Sequence, residues 1–266
     1  MEYAYISLVG LARGVALLPI EHPLEFIKTR QQVSPGQSAL NIIKETWSYG
    51  PKRFYSGLVP NALRCSIKQA YRFPLMISVP KFYKTLGMSE VSSQNLAGLT
   101  IALIESYIIC PLERVKTWLM TAPLSSLLGF LKQKQALTEL FSGVSPLMLR
   151  QSVSWVTFLG GNSVLRELFR ELEGTRELSY SSLCLCGTLV GILNVSAIMP
   201  LDFAKTHLQK YENLTWKGLR QDIALHSGFL QRLRVVYSGW QMRMIQYIIH
   251  ALATVSILEK LTLKFG

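Results

Sequence analysis

Apolar stretches separated by short polar segments make up most of the chain, and prolines, glycines and single charges interrupt them. None reaches the roughly 18 uninterrupted apolar residues at which a membrane-spanning helix is evident from hydropathy alone. Interrupted apolar helices are nevertheless tolerated in a bilayer where they line a water-filled cavity. The pattern therefore predicts membrane helices around an aqueous cavity.

One motif recurs along these stretches at nearly equal spacing. It reads proline, any residue, an acid, any two residues, lysine and threonine, and its copies begin at Pro23, Pro111 and Pro200, which lie 88 and 89 residues apart. Three copies at such regular spacing indicate an internal repeat. The sequence thus divides into predicted repeats of residues 1–88, 89–177 and 178–266.

A second mark follows each proline motif and consists of an aromatic residue, serine and glycine. The copies end at Gly57, Gly143 and Gly239, and an apolar segment follows each of them. Every repeat is therefore predicted to contain a long helix, a loop with a short amphipathic helix, and a second long helix. Residues 39–47 are the clearest loop helix.

Composition and charge favour a membrane protein over a nucleic-acid-binding one. Charged residues make up 17% of the chain, against about 25% in typical soluble domains. The net charge of +12 is unevenly placed, because residues 24–56, 112–142 and 201–238 hold 15 basic and 7 acidic residues, whereas residues 80–95 and 166–178 hold 5 of each. Basic loops on one side of a membrane are the usual topological signal. No nucleic-acid partner is expected.

The repeated motifs resemble those of the mitochondrial carrier family, and the resemblance covers essentially the whole chain. It implies an all-α membrane fold with six transmembrane helices in a three-fold pseudosymmetric bundle and short amphipathic helices on the matrix side. It also implies a multi-pass protein of the mitochondrial inner membrane with both termini toward the intermembrane space. A monomer is expected unless the chain is a subunit of a larger complex.

The proline motifs predict a ring of charges at the matrix end of the cavity. An acid and a lysine three residues apart lie near one face of a helix and can pair with a neighbouring repeat. A buried ring of this kind needs complete pairing. Its predicted members are Glu25, Lys28, Glu113, Lys116, Asp202 and Lys205. By resemblance, glutamines nine residues after the proline brace the pairs, and Gln32 and Gln209 fit, whereas Met120 stands at the third position.

The corresponding gate at the opposite end is incomplete in the sequence. The resemblance implies an acid and a base on each even-numbered helix, but only Arg166 and Glu259 are charged at those positions. At most one bridge can form there. We therefore expect a bias toward the state that is closed at the matrix end, with slow, asymmetric or absent exchange.

Polar residues spaced by four along the even-numbered helices are predicted to face the cavity. They are Arg64, Lys68, Arg72, Arg150, Gln246 and His250, and Gln151 is added as the neighbour of Arg150. Cations on one stripe would attract an anion, and arginine suits carboxylate or phosphate, although Lys68 and Arg72 could instead extend to the membrane surface. By resemblance, the pair Arg150-Gln151 favours a carboxylate or oxo-acid over a nucleotide. Glu105 either neutralises a cavity base or takes up a coupled proton.

Three function classes follow from these residues. A carrier of small anions is favoured. The alternative is a nucleotide carrier, including a one-directional one. A non-transporting structural subunit is the rival class. Gly57, Gly143 and Gly239 are predicted cardiolipin positions, because free N–H groups at a helix start bind phosphate, or else they are simple turn glycines. The four cysteines are interpreted as packing residues. No enzyme activity, cofactor or metal is expected.

Overall fold

The computed structural model describes residues 2–121, 129, 140–174, 178–211 and 214–250, and those residues form helices and their connections without a strand. The predicted loop helix at residues 39–47 is confirmed at nearly those bounds. The helices are α1 (Glu2–Val33), α2 (Ala39–Ser48), a 3-10 helix (Pro51–Tyr55), α3 (Leu58–Thr85), α4 (Glu90–Thr121), α5 (Val144–Glu173), α6 (Tyr180–Lys210), α7 (Trp216–Leu225), α8 (Phe229–Val236) and α9 (residues 240–250).

The long helices pack in chain order, and the helices that hold the proline motifs also meet one another. Helix α1 packs on α3, α3 on α4, α4 on α5, and α5 on α6. In addition α1, α4 and α6 contact each other in all three combinations. The arrangement is that of a bundle in which three equivalent helices converge.

Two of these helices are long and apolar enough to cross a membrane by length and composition within the described part of the chain. They are Ser92–Thr121 in α4 and Ser181–Lys210 in α6. Helix α3 is less apolar because it contains the basic residues Arg64, Lys68 and Arg72. Cations inside a membrane helix are costly and are tolerated where they face a cavity or a partner.

The three motif prolines lie inside helices that continue past them. Pro23 is within α1, Pro111 within α4 and Pro200 within α6. Each proline removes one backbone hydrogen bond from its helix. The acids and lysines that follow lie where α1, α4 and α6 meet, and all of them are buried except Glu25, which is partly buried. The missing hydrogen bonds lead us to expect a kink in each of these helices at its proline.

Each glycine of the aromatic-Ser-Gly mark begins a helix and touches the next repeat. Gly57, Gly143 and Gly239 have φ angles of 81°, 78° and 84°, which an L side chain rarely adopts. A Cβ on Gly57 would lie 3.1 Å from the carbonyl oxygen of Lys116, and one on Gly239 would lie 2.8 Å from Cγ of Lys28. Helices α3 and α9 therefore start in direct contact with Lys116 and Lys28, the lysines of two proline motifs.

Side chains of the same mark repeat this contact in a second way. The hydroxyl of Ser142 donates to the carbonyl of Leu208 at 2.7 Å, and that of Ser238 donates to the carbonyl of Gln31 at 2.7 Å. Gln31 and Leu208 each lie three residues after a ring lysine. The turn and the neighbouring helix are thus joined by both packing and hydrogen bonds.

Replacing Gly239 with alanine should destabilise the protein by more than the cost of its backbone conformation alone. The matched control is Gly174→Ala, because Gly174 has a φ angle of 64° but open space around the position that its Cβ would occupy, with no atom within 4 Å. We expect about 1 kcal/mol for the control and roughly 2–4 kcal/mol for Gly239→Ala. Thermal unfolding of the two purified variants measures the difference, and equal losses would refute the close contact.

Candidate functional site: a charged ring beneath a basic cavity

The acids and lysines of the three proline motifs form a closed cycle of ion pairs. Each acid contacts the lysine of the following repeat, and the third acid returns to the first. Nζ of Lys28 lies 2.9 Å from Oδ2 of Asp202, and Nζ of Lys116 lies 2.6 Å from Oε1 of Glu25. The remaining pair is Lys205 with Glu113. The side chains of the three lysines are 3–9% exposed. We call these six residues the charge ring.

Two glutamines bind the threonines next to the ring lysines. The hydroxyl of Thr206 donates to Oε1 of Gln32 at 2.7 Å, and that of Thr117 donates to Oε1 of Gln209 at 2.9 Å. At the third equivalent position Met120 is fully buried and packs with the apolar cluster that includes Phe26. The glutamines thus tie neighbouring helices together beside the ion pairs, and at one of the three seams apolar packing takes their place.

Arg64 on α3 and Arg150 on α5 also contact the charge ring. Nη1 of Arg64 lies 3.2 Å from Oε1 of Glu113, and Nε of Arg150 lies 3.3 Å from Oδ1 of Asp202. The third equivalent residue is Gln246, which donates to the backbone oxygen of Glu21 at 2.9 Å. Two residues assigned to the cavity above the ring therefore reach down to its acids, which the sequence did not predict.

With both arginines included, five cations surround three carboxylates. Buried charges of one sign are stabilised by opposite charge. This group of side chains therefore has a surplus of positive charge that an anion could neutralise. The arginine side chains are 17% and 11% exposed, so a small part of each remains accessible from outside the protein.

Asn61 is a member of this site that sequence reasoning missed. Its Oδ1 accepts hydrogen bonds from Nε and Nη2 of Arg64 at 3.0 and 2.8 Å, while its Nδ2 donates to Oε2 of Glu25 at 3.3 Å. The residue therefore connects two acids of the ring through one arginine. Repeat comparison could not reveal it, because the equivalent positions are Leu147 and Arg243. The signal available in the sequence was a polar asparagine one turn before Arg64 in a predicted membrane helix.

One turn above Arg64, a second cation is paired with an acid. Lys68 contacts Glu105, whose Oε1 also accepts a hydrogen bond from Nε2 of Gln151 at 3.0 Å. Glu105 is 1% exposed. The structure thus places Glu105 as a partner of a cavity base, the first of the two roles considered for it. Gln151 lies on α5 beside Arg150 and contacts this pair.

Arg72 lies a further turn along α3 and interacts with an aromatic ring instead. Its guanidinium carbon is 5.2 Å from the ring centroid of Trp155 on α5. A cation over an indole face is stabilised without an acid. The basic ladder therefore runs from the ring to this pair, and Trp155 is a second residue that the sequence did not single out.

At the opposite end, the expected gate residues do not form a bridge in the described part of the chain. Arg166 is exposed and donates from Nε to Oδ1 of Asn162 at 3.0 Å, within its own helix. Glu259 lies outside the described residues. Nδ1 of His250 lies 3.0 Å from Oε1 of Glu21 on α1, so this side chain contacts a neighbouring helix.

The remaining sequence-based candidates are cysteines and metal ligands. All four cysteines are free; Cys110 and Cys186 are buried, as expected of packing residues, Cys65 is partly buried, and Cys184 is exposed. Cys184 is the exception to the packing interpretation, because its side chain is exposed. Across the described ranges no group of three or more His, Cys, Asp or Glu residues is placed to hold a metal ion.

Comparison with known proteins agrees with this arrangement. A family described as mitochondrial carrier protein matches residues 2–86, 88–173 and 176–266. The tricarboxylate transporter FUM11 of Gibberella moniliformis is 27% identical over 260 residues, covering 86% of this chain and 83% of the relative. The tricarboxylate transport protein of Saccharomyces cerevisiae is 26% identical over 236 residues, covering 79% of each chain. The adenine nucleotide transporter BT1 of Arabidopsis thaliana is 26% identical over 214 residues, covering 76% of this chain and 54% of the relative.

Proposed function

The chain belongs to the mitochondrial carrier protein family, and from that premise we propose that it moves a small carboxylate through its central cavity by alternating access. The observation that supports this most is the surplus of cations at the cavity floor, where Arg64 and Arg150 contact acids that already have lysine partners. Arginine binds a carboxylate with two parallel hydrogen bonds. Relatives named as tricarboxylate transporters support the same class of solute.

A substrate carboxylate would act on the gate through these shared arginines. Arg64 contacts Glu113 and Arg150 contacts Asp202. A carboxylate that binds the two guanidinium groups competes with those acids, so each acid keeps only its lysine partner. The ring then loses part of its stabilisation, and opening at that end costs less. Binding in the cavity is in this way coupled to the gate, because a ligand shifts an equilibrium only by its differential affinity for the two states.

A nucleotide carrier is the alternative solute class. The relative named as an adenine nucleotide transporter supports it, and a cavity with Lys68 and Arg72 above two arginines also suits phosphates. The pairing of Lys68 with Glu105 reduces the positive charge available to a nucleotide. We therefore rank a carboxylate first. A subunit without transport activity is the third possibility, and the incomplete outer gate is what favours it.

The location follows from the family. We propose a multi-pass protein of the mitochondrial inner membrane, with the charge ring toward the matrix and the termini toward the intermembrane space. Its repeats would span residues 1–88, 89–177 and 178–266. The protein would act as a monomer and would be no enzyme. Exchange of one anion for another is the expected mode.

Cardiolipin is a further proposed partner at the starts of α3, α5 and α9. A groove of about 530 Å³ lies at the start of α9 and is lined by residues that include Gly239, Trp240 and Arg234. Free N–H groups at a helix start and a nearby arginine together suit a phosphate. Gly239 also packs closely against Lys28. Phosphate binding and packing would therefore both favour a glycine at this position.

Ligand-induced thermal stabilisation tests the solute class. A ligand that binds only the folded protein raises stability by about 2.7 kcal/mol at 100 times its dissociation constant. We expect citrate or another di- or tricarboxylate to raise the unfolding temperature of the purified protein, and its methyl ester to have no effect. Stabilisation by ATP alone would support the nucleotide alternative. A folded protein that none of these anions stabilises would contradict the proposal.

A further inference from the structure

His22 is a fully buried histidine immediately before the first motif proline, and it lies beside the charge ring without being one of its six residues. Its Nε2 lies 3.0 Å from the carbonyl oxygen of Ser56, and its Nδ1 lies 3.1 Å from Nδ2 of Asn61. Its ring also stacks with that of Tyr55, with the ring centroids 6.3 Å apart. His22 therefore joins the first proline motif to the aromatic-Ser-Gly mark and to Asn61.

The two ends of this hydrogen-bond chain determine where its protons lie. A carbonyl oxygen only accepts, so Nε2 of His22 carries the proton that it donates to Ser56. At the other end, the guanidinium of Arg64 only donates, so Oδ1 of Asn61 faces it and Nδ2 of Asn61 faces His22. Nδ1 of His22 thus accepts from Asn61, and the second hydrogen on Nδ2 goes to Glu25. The imidazole is neutral in this arrangement, and the Asn61 amide has one orientation.

The oriented amide in turn holds Arg64 by one edge of its guanidinium. Asn61 accepts from Nε and Nη2 at 3.0 and 2.8 Å, whereas Nη1 lies 3.2 Å from Oε1 of Glu113. A carboxylate that binds an arginine with two parallel hydrogen bonds uses one such edge. Because Asn61 covers the edge formed by Nε and Nη2, the edge formed by Nη1 and Nη2 is left for an anion, and there the anion competes with Glu113.

The second repeat shows that packing alone does not require this polar pair. The residues equivalent to His22 are Cys110 and Met199, and the residue equivalent to Asn61 in the second repeat is Leu147. These three side chains are fully buried, and Cys110 and Leu147 belong to one apolar cluster. The same bundle position therefore accepts an apolar pair. Burying polar groups is costly unless they are hydrogen-bonded, so the polar pair of the first repeat calls for a reason beyond filling space.

We infer that His22 is a positioning residue for the solute site, which acts through Asn61 to hold Arg64 with its Nη1–Nη2 edge toward an incoming carboxylate. The inference rests on the proposed function, because it gives Arg64 an anionic solute to bind. His22 needs no contact with that solute. It also makes the two arginines unequal, since Arg64 is held by the hydrogen-bonded pair and the equivalent positions near Arg150 are apolar.

Two substitutions of His22 separate its two hydrogen bonds in citrate uptake by the full-length protein in liposomes. In His22→Gln the side-chain nitrogen can still donate to Ser56, but the acceptor for Asn61 is lost. In His22→Asn the side-chain oxygen lies near the place of Nδ1 and can still accept from Asn61. We expect His22→Gln to raise the citrate concentration for half-maximal uptake about three- to ten-fold, the effect of one hydrogen bond, with the maximal rate unchanged. His22→Asn should stay close to the wild type.

Met199→Gln is the matched control, because it places the same side chain at the equivalent, equally buried position of the third repeat. It should lower the unfolding temperature and leave the half-maximal concentration unchanged. A larger effect of His22→Asn than of His22→Gln would show that His22 only anchors Ser56, and would overturn the inference. Wild-type half-maximal concentrations in both His22 variants would overturn it as well.

A double-mutant cycle in thermal unfolding adds a readout that does not depend on transport. It compares the wild type, His22→Gln, Arg64→Ala and the double variant. If His22 acts on Arg64 through Asn61, His22→Gln should destabilise the protein less when Arg64 is already absent. Additive losses would overturn the inference even if citrate is transported. Coupled losses in a protein that takes up no carboxylate would contradict the proposed function and still confirm that His22 orients Arg64.

Discussion

Replacing Arg150 with alanine should lower the rate of carboxylate uptake by reconstituted protein roughly 100-fold or more. Arg150 contacts Asp202 and keeps a small accessible part of its side chain, so it is placed to bind an incoming anion and to release the acid when it does. Loss of one partner of a desolvated charge pair costs about 2–5 kcal/mol, and each 1.4 kcal/mol is about a factor of ten. The initial rate of labelled citrate uptake into liposomes measures the effect.

Two further variants separate charge from folding in this experiment. Arg150→Lys keeps the charge without the guanidinium geometry and should recover part of the rate. Arg170→Ala removes an exposed arginine from the same helix and should leave the rate unchanged. Uptake at the wild-type rate by Arg150→Ala would show that the substrate does not use this residue. Equal losses in all three variants would indicate a general defect.

Removing one charge of an ion pair in the charge ring should destabilise the protein more than removing both charges of that pair. Lys116→Met leaves Glu25 in the ring with Asn61 as its remaining contact in the described structure. An uncompensated buried charge costs roughly 3–5 kcal/mol, so the unfolding temperature should fall by many degrees. The double variant Lys116→Met/Glu25→Gln removes both charges and should recover a large part of that loss. Thermal unfolding of the single and double variants measures the coupling.

Glu25 and Lys116 are the best pair to replace, because the neighbouring acid Glu113 keeps its other partners. Glu113 lies 3.5 Å from Lys116 but also contacts Lys205 and Arg64. A double variant with the summed loss of the two single variants would show that Glu25 and Lys116 act independently. Such a result would contradict the ring as a coupled structure.

Most of the bundle was predictable because the repeat specifies it. The spacing of Pro23, Pro111 and Pro200 indicates three equivalent helices, and those helices do converge. The acids and lysines that follow each proline share a helix face, so their pairing between repeats follows from the symmetry alone. The helix that contains each motif and the helix that follows each glycine are fixed by the same periodicity.

The missed features are those that break the symmetry. Asn61 has no equivalent in the other repeats, and the interaction of Arg72 with Trp155 joins two helices whose sequence separation gives no hint of contact. The depth of Arg64 and Arg150 was also missed. A spacing of four shows which face a residue occupies, but the length of its side chain and the position of the neighbouring acids determine how far down it reaches. One-dimensional spacing does not contain that information.

We propose that a basic cavity above a closed charge ring moves a carboxylate across the membrane. The most direct test is the uptake of labelled citrate by purified protein in liposomes that are either empty or loaded with unlabelled citrate. We predict uptake that depends on internal citrate and disappears when Arg64 and Arg150 are both replaced by alanine. Folded, membrane-inserted protein that takes up neither citrate nor any other carboxylate under both conditions would contradict the account.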